Sequence, residues 1–223
     1  MESLLWFPIG EFPFVVLTFI IAFTVHEFAH AYSAYKFGDM TAYNAGRVTL
    51  NPRVHLDVLG TILILLAGFG WAKPVPVNPN RFSKPRLMSI IVTAAGPISN
   101  LIMAFVGLLA FHLLFSTGVL DSSSVGVQKA FYTFLIVYFV PMNILLFLFN
   151  LIPLPPLDGY RIISNLLPLR VQMKLEQNIQ WGMFFFLLLV FIPPLHDITI
   201  GPLFSLIDDI MLGLNDIIAP WFI

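Results

Sequence analysis

The sequence predicts an all-α polytopic membrane protein, with about four transmembrane helices, one re-entrant or extended membrane segment and a C-terminal amphipathic helix. Hydrophobic residues make up 58% of the 223-residue chain and charged residues only 10%, against about 45–50% and about 25% in soluble domains. Mean hydropathy is +0.90. The apolar residues gather into runs near the ~20 residues that a spanning helix needs, so the length suits one compact membrane-embedded domain over residues 1–223. Cysteine is absent, which removes thiolate ligands, and any metal must be held by nitrogen and oxygen. A formal charge of −1 offers no basic surface for nucleic acid.

The first apolar run, Phe12 to about Phe37, is long enough to cross, and Gly38 follows as a stop. No Lys or Arg precedes Lys36, so the basic n-region of a signal peptide is missing and the run is expected to be retained. Asp39 to Asp57 reads as turns and short extended pieces. Leu59–Gly70 is apolar but covers only ~18 Å as a helix, which predicts a segment that enters the bilayer and returns. Trp71–Asn80 is Pro-rich and extended. Leu87 to about Phe115 and Phe131–Ile152 are the second and third crossings, and Leu175 to about Ile192 is the fourth. Within 202–222, Leu203, Leu206, Ile207, Ile210, Leu214, Ile217, Ile218 and Trp221 repeat at helical spacing among three aspartates, the pattern of an amphipathic helix packed on the protein or the outer surface.

Charge orients the chain. If Leu59–Gly70 does not cross, seven of the eleven Lys and Arg lie in one connection, between Lys36 and Arg86. The positive-inside rule then makes that side cytoplasmic and puts the N-terminus outside a cell membrane.

The chemistry centres on His26-Glu27-x-x-His30 in the first crossing. Spacing i, i+4 puts both imidazoles on one helix face, as two ligands of one tetrahedral zinc require, and Glu27 can reach a water on that ion as general base. Three ionisable groups inside a membrane helix cost several kcal/mol unless compensated, which favours a metal site over two buried, satisfied histidines. A catalytic zinc needs a third protein ligand, and Asp158, His55, His112 and His196 are candidates. Asp158 is best placed, because the first and third crossings run the same way and their C-terminal ends meet in one leaflet. Asn100, in the second crossing, either hydrogen-bonds between helices or lines the cavity.

These residues carry a resemblance. His26-Glu27-x-x-His30, Ala95-Gly96-Pro97-x-x-Asn100 and Asn150-x-x-Pro153-x-Pro155-x-Leu157-Asp158-Gly159 together resemble the site-2 proteases, zinc metalloproteases that cut transmembrane helices. The stretches from Gly46 to Gly60 and from Gly70 to Pro79 are similar to a compact prokaryotic branch without a PDZ or other regulatory domain. The resemblance implies one zinc ion held by His26, His30 and Asp158, Glu27 as catalytic base, and Asn150 in contact with the substrate or the oxyanion; Asn100 is the second candidate for substrate binding. It also implies a core of about 12–165 with accessory helices beyond it, transmembrane proteins as substrates, and a separate adaptor or regulatory protein as a candidate partner. The family's re-entrant strands, which clamp an unwound substrate, would fall near Leu59–Gly70. One departure is Asp57-Val58-Leu59-Gly60 where the family has Asp-Pro-x-Gly, which bears on the turn into the membrane. Two other readings are a divalent-metal transporter and a non-catalytic zinc-binding membrane protein. The first wants polar residues on several crossings, which the second and fourth scarcely offer, and the second would not require Glu27.

Overall fold

The computed structural model describes residues 7–67 and 70–222. Among these the architecture is helical with no strands, apart from a single antiparallel bridge between Leu56 and Ala72. Three continuous helical stretches, Ile9–Lys36, Pro85–Ser116 and Val125–Asn150, are long and apolar enough to cross a membrane. A fourth is formed by Ile179–Phe191 with Pro193–Phe222, bent by 95° at the break, if that pair counts as one span. The protein is a multi-pass membrane protein.

The first helix, α1 (Phe12–Lys36), has Pro13 in its opening turn, where a missing N–H costs nothing. It ends at Gly38, whose φ of 94° is the left-handed conformation that glycine adopts without strain. Beyond it, Asp39 is fully buried at the start of α2 (Thr41–Asn44). Its carboxylate accepts hydrogen bonds from Thr41 N–H, Thr41 Oγ1 and Asn78 N–H, with Arg81 at 3.9 Å. Burial alone would raise its pKa, but these donors outweigh burial and hold it below the usual carboxylate range. The knot ties residues 39–45 to residues 78–82 over the end of α1.

The short apolar run forms α3 (Val58–Ala67), a ten-residue helix of about 15 Å. Asp57 caps it by accepting Gly60 N–H at 2.8 Å, so the departure at this turn is a helix start. The chain then comes straight back: a Cβ on Gly70 would collide with Gly60, and Lys73 N–H donates to His55 C=O at 2.8 Å. The two ends lie side by side, as expected of a segment that does not cross. Of the re-entrant and extended alternatives, the described residues take the returning one, built as a short helix. With no partner strand, a helix satisfies the backbone of an apolar run internally, and an unpaired edge for clamping substrate is not offered there. Gly68 and Phe69 of that run lie outside the described residues.

Helix α4 (Pro85–Ser116) spans 32 residues, with Pro97 buried in its interior. The third crossing is composite: α5 (Val125–Tyr132), capped by Ser124 on Val127 N–H, a π-helical stretch (Thr133–Phe139), and α6 (Val140–Asn150). A proline-rich turn leads to α7 (Asp158–Leu166) and α8 (Leu169–Gln177). The expected fourth crossing is shorter than the sequence suggests. Asn178 interrupts it, α9 (Ile179–Phe191) covers only about 20 Å, and Pro193-Pro194 starts α10 (Pro193–Thr199) in a new direction. The last helix, α11 (Gly201–Ile218), packs on the protein through Ile207 and Ile218 and leaves Asp208, Asp209 and Asp216 exposed. Its apolar stripe is only partly used, since Leu206, Ile217 and Trp221 remain exposed.

Two layers join α4 to its neighbours. One is apolar: Ala104 and Leu108 of α4, Val140 and Ile144 of α6, and Ile207 and Ile218 of α11 form one buried cluster. The other is polar and contains the site.

Candidate metal centre

His26 and His30 lie one turn apart on α1 and point the same way, with their Nε2 atoms 3.0 Å apart. Asp158, the first residue of α7, brings Oδ2 to 3.2 Å from His26 Nε2 and 3.3 Å from His30 Nε2. Three atoms with lone pairs converge in a space that is almost closed, since both histidines are buried and Asp158 is nearly so. Ligands at about 2.0–2.2 Å from a tetrahedral zinc stand roughly 3.3–3.6 Å apart, close to the edges of this triangle. The donor set and its spacing fit one zinc ion.

Each imidazole is fixed from behind. His30 Nδ1 donates to the Val92 carbonyl at 2.8 Å, and His26 Nδ1 donates to Asn100 Oδ1 at 2.7 Å. A donor role for Nδ1 leaves Nε2 of both rings as the free lone pair, as metal ligation requires. Gly96 makes the room. A Cβ there would collide with the His30 ring and reach 2.8 Å from His26 Cε1, so this face of α4 must be bare at the level of the cluster. Helix α4 thus supplies a gap, a carbonyl and an amide within three turns.

Glu27 is buried on the adjoining face of α1. One carboxylate oxygen, Oε2, accepts the Val75 N–H at 2.9 Å from the extended segment that returns from α3. That segment is held by Arg47, which is buried and donates to the carbonyls of Lys73 and Pro74 at 2.5 and 3.2 Å. Burial lowers Arg47 from its ordinary value, with the Glu27 carboxylate pulling the other way. His55 lies in the same connection, fully buried, with Nε2 on the Thr49 carbonyl at 2.7 Å. Burial holds its pKa below the usual value and Arg47 pushes the same way, while the Thr49 hydrogen bond and Glu27 oppose them.

The sequence candidates sort accordingly. Asp158 joins the histidine pair, whereas His55, His112 and His196 do not. His55 is an interior strut. His112 bonds Asn215 at 2.8 Å and stacks on Phe222. His196 sits on α10 beside Asp197. Asn100 hydrogen-bonds between helices, and its full burial leaves it no surface for a substrate. Asn150 is partly exposed at the end of α6, with Nδ2 on the Leu146 carbonyl. Sequence reasoning did not single out Asn143, Arg47 or the Val75 N–H. A lone amide inside an apolar run was a signal available for Asn143, but a backbone N–H leaves none.

Two imidazoles and one carboxylate, with the Glu27 carboxylate next to His26, are a three-ligand set that could hold one zinc ion and leave a fourth position open, the composition of hydrolytic zinc sites. Set among membrane-crossing helices, they define a membrane-embedded zinc metalloprotease. Residues 14–192 match the model of Peptidase family M50, and the chain belongs to that family. It is 49% identical over 207 residues to "Putative zinc metalloprotease YwhC" of Bacillus subtilis, covering 92% of each chain. It is 30% identical over 200 residues to "Putative zinc metalloprotease Rip2" of Mycolicibacterium smegmatis, covering 84% of this chain and 70% of the relative. The Mycobacterium tuberculosis Rip2 is 30% identical over 203 residues, covering 89% and 74%. No solved structure matches.

Proposed function

We propose that this zinc metalloprotease is an intramembrane endopeptidase, which hydrolyses peptide bonds within or next to the transmembrane segments of other membrane proteins. The observation that carries the reading is the convergence of His26, His30 and Asp158 beside Glu27, inside helices that cross the membrane. His26, His30 and Asp158 would hold the ion, which when bound polarises the scissile carbonyl and makes water acidic enough to attack near neutral pH. Glu27 accepts the proton of the attacking water and passes it to the departing amide nitrogen, so the C–N bond breaks as the new C–O bond forms. The Val75 N–H holds one of its oxygens and directs the other to that proton. Asn150, at the rim where α6 ends, is the candidate substrate contact. The site serves one domain whose core is 12–165, with the later helices as accessories.

A site towards the cytoplasmic side of a cell membrane, with the N-terminus outside, is the orientation favoured by the seven basic residues from Lys36 to Arg86 under the positive-inside rule. A transmembrane helix hides its carbonyls in its own hydrogen bonds, so a substrate must unwind locally before Glu27 and its water can reach a bond. Substrate cleavage of this kind would serve regulated release of membrane-held proteins, with a separate adaptor supplying selection.

The test is cleavage of a panel of single-pass membrane proteins by the purified protein. Glu27→Gln is expected to lose at least about 100-fold in rate, the lower range for a general base, while keeping its zinc. Asp158→Ala is expected to lose zinc. Wild-type cleavage rates in Glu27→Gln, or a full zinc complement in Asp158→Ala, would refute the assignment.

A further inference from the structure

Behind His26 a run of side-chain amides crosses three helices. Asn143 of α6 donates from Nδ2 to the Phe139 carbonyl at 2.8 Å. Its Oδ1 accepts from Asn100 Nδ2 at 3.0 Å, and Asn100 Oδ1 in turn faces His26 Nδ1 at 2.7 Å. Asn100 and Asn143 are both completely buried, so no water can stand in for either amide. The run also has a fixed direction. Its far end is a backbone carbonyl, which can only accept, so Asn143 must present Nδ2 to Phe139 and Oδ1 to Asn100. Asn100 must then present Nδ2 to Asn143 and Oδ1 to His26. A second acceptor for Asn100, the Ala22 carbonyl, is more distant at 3.4 Å. The anchoring carbonyl belongs to the last residue of the π-helical stretch, a local geometry frequent at functional sites.

We infer that Asn143 is a positioning residue of the metal centre. Acting through Asn100, it holds the His26 imidazole in the Nδ1–H form, with Nε2 aimed at the space shared with His30 and Asp158. The inference rests on the proposed role of His26 as a ligand. It assigns to α6 two duties in one site, because the helix that sets His26 from behind also runs into the turn that delivers Asp158. An asparagine that merely bridged helices would stabilise the bundle and leave the metal indifferent.

The experiment measures zinc affinity by chelator competition, and the visible spectrum of the cobalt-substituted protein, on purified full-length protein in detergent. Asn143→Leu, of similar volume, is expected to bind zinc 10–100-fold more weakly and to shift the cobalt bands. The same substitution in an Asn100→Leu background is expected to add less than a twofold loss, since the route to His26 is already cut. Asn143→Asp, as the neutral acid, keeps both a donor for the Phe139 carbonyl and an acceptor for Asn100 and is expected to recover most of the affinity, which also keeps the inference testable if the leucine variant does not fold. Equal losses from Asn143→Leu in both backgrounds, an unchanged cobalt spectrum, or no recovery in a folded Asn143→Asp would overturn it. A His26→Ala control separates the two levels: if that variant binds zinc as the wild type does, the ligand assignment of His26 fails, and if it does not while Asn143→Leu does, only the role of Asn143 fails.

Discussion

Helices α4 and α6 meet in two places that differ in chemistry. At Asn100 and Asn143 the contact is made of amides, fully buried and hydrogen-bonded through to His26. At Ala104 and Leu108, one and two turns further along α4, against Val140 and Ile144 on either side of Asn143, it is made of hydrocarbon and is sealed by α11. Inside a bilayer, packing carries helix association without help from the hydrophobic effect, because lipid is as apolar as leucine. The apolar layer therefore fixes distance, while the polar layer fixes orientation. A metal centre needs both, since an imidazole at the right distance and the wrong rotation presents no lone pair.

The largest effect is expected from breaking the polar layer without touching a ligand. Gly96→Ala places a methyl group against both imidazoles and is expected to abolish zinc binding in a protein that still folds without metal. Measured side by side, zinc content and metal-free unfolding check it, and wild-type zinc content would mean that α4 can yield at this level. Breaking the apolar layer should do the reverse. Ile144→Ala empties a completely buried position and is expected to cost about 2–5 kcal/mol of stability, with zinc affinity within about threefold of wild type in the folded protein. A parallel fall in both quantities would show that the two layers are one cooperative unit.

The smallest effect lies outside both layers. The Asp39 carboxylate has a lowered pKa in the folded protein, so the stability it contributes is present above its unfolded value, near pH 4, and is lost as pH falls through the folded one. Asp39→Asn removes that term and is expected to flatten the acid side of the stability curve by about 1 kcal/mol or less, leaving zinc affinity unchanged. Unfolding followed from pH 7 to pH 3 checks this. An identical acid limb in the variant would mean that the carboxylate charge contributes nothing there.

The histidines show how much of the site was legible beforehand. Spacing i, i+4 on an apolar helix put His26 and His30 on one face, and the parallel run of the first and third crossings brought Asp158 to them, because both follow from helix geometry and chain direction. The roles of Asn100 and Asn143 did not follow. A buried amide looks the same in sequence whether it lines a cavity or backs a ligand, and only its neighbours on other helices decide. Leu59–Gly70 was legible as too short to cross, but its backbone conformation depended on whether a partner strand existed, and that is a property of the assembled fold.

By itself the sequence determined the membrane class, the two imidazoles on one helix face and a carboxylate beside them, since composition and period are local quantities. Tertiary structure alone decided that Gly96 clears the space, that the Val75 N–H holds Glu27, and that α6 reaches His26 through two amides. Each of these joins residues at least 43 positions apart in the chain, where no local pattern can register their approach.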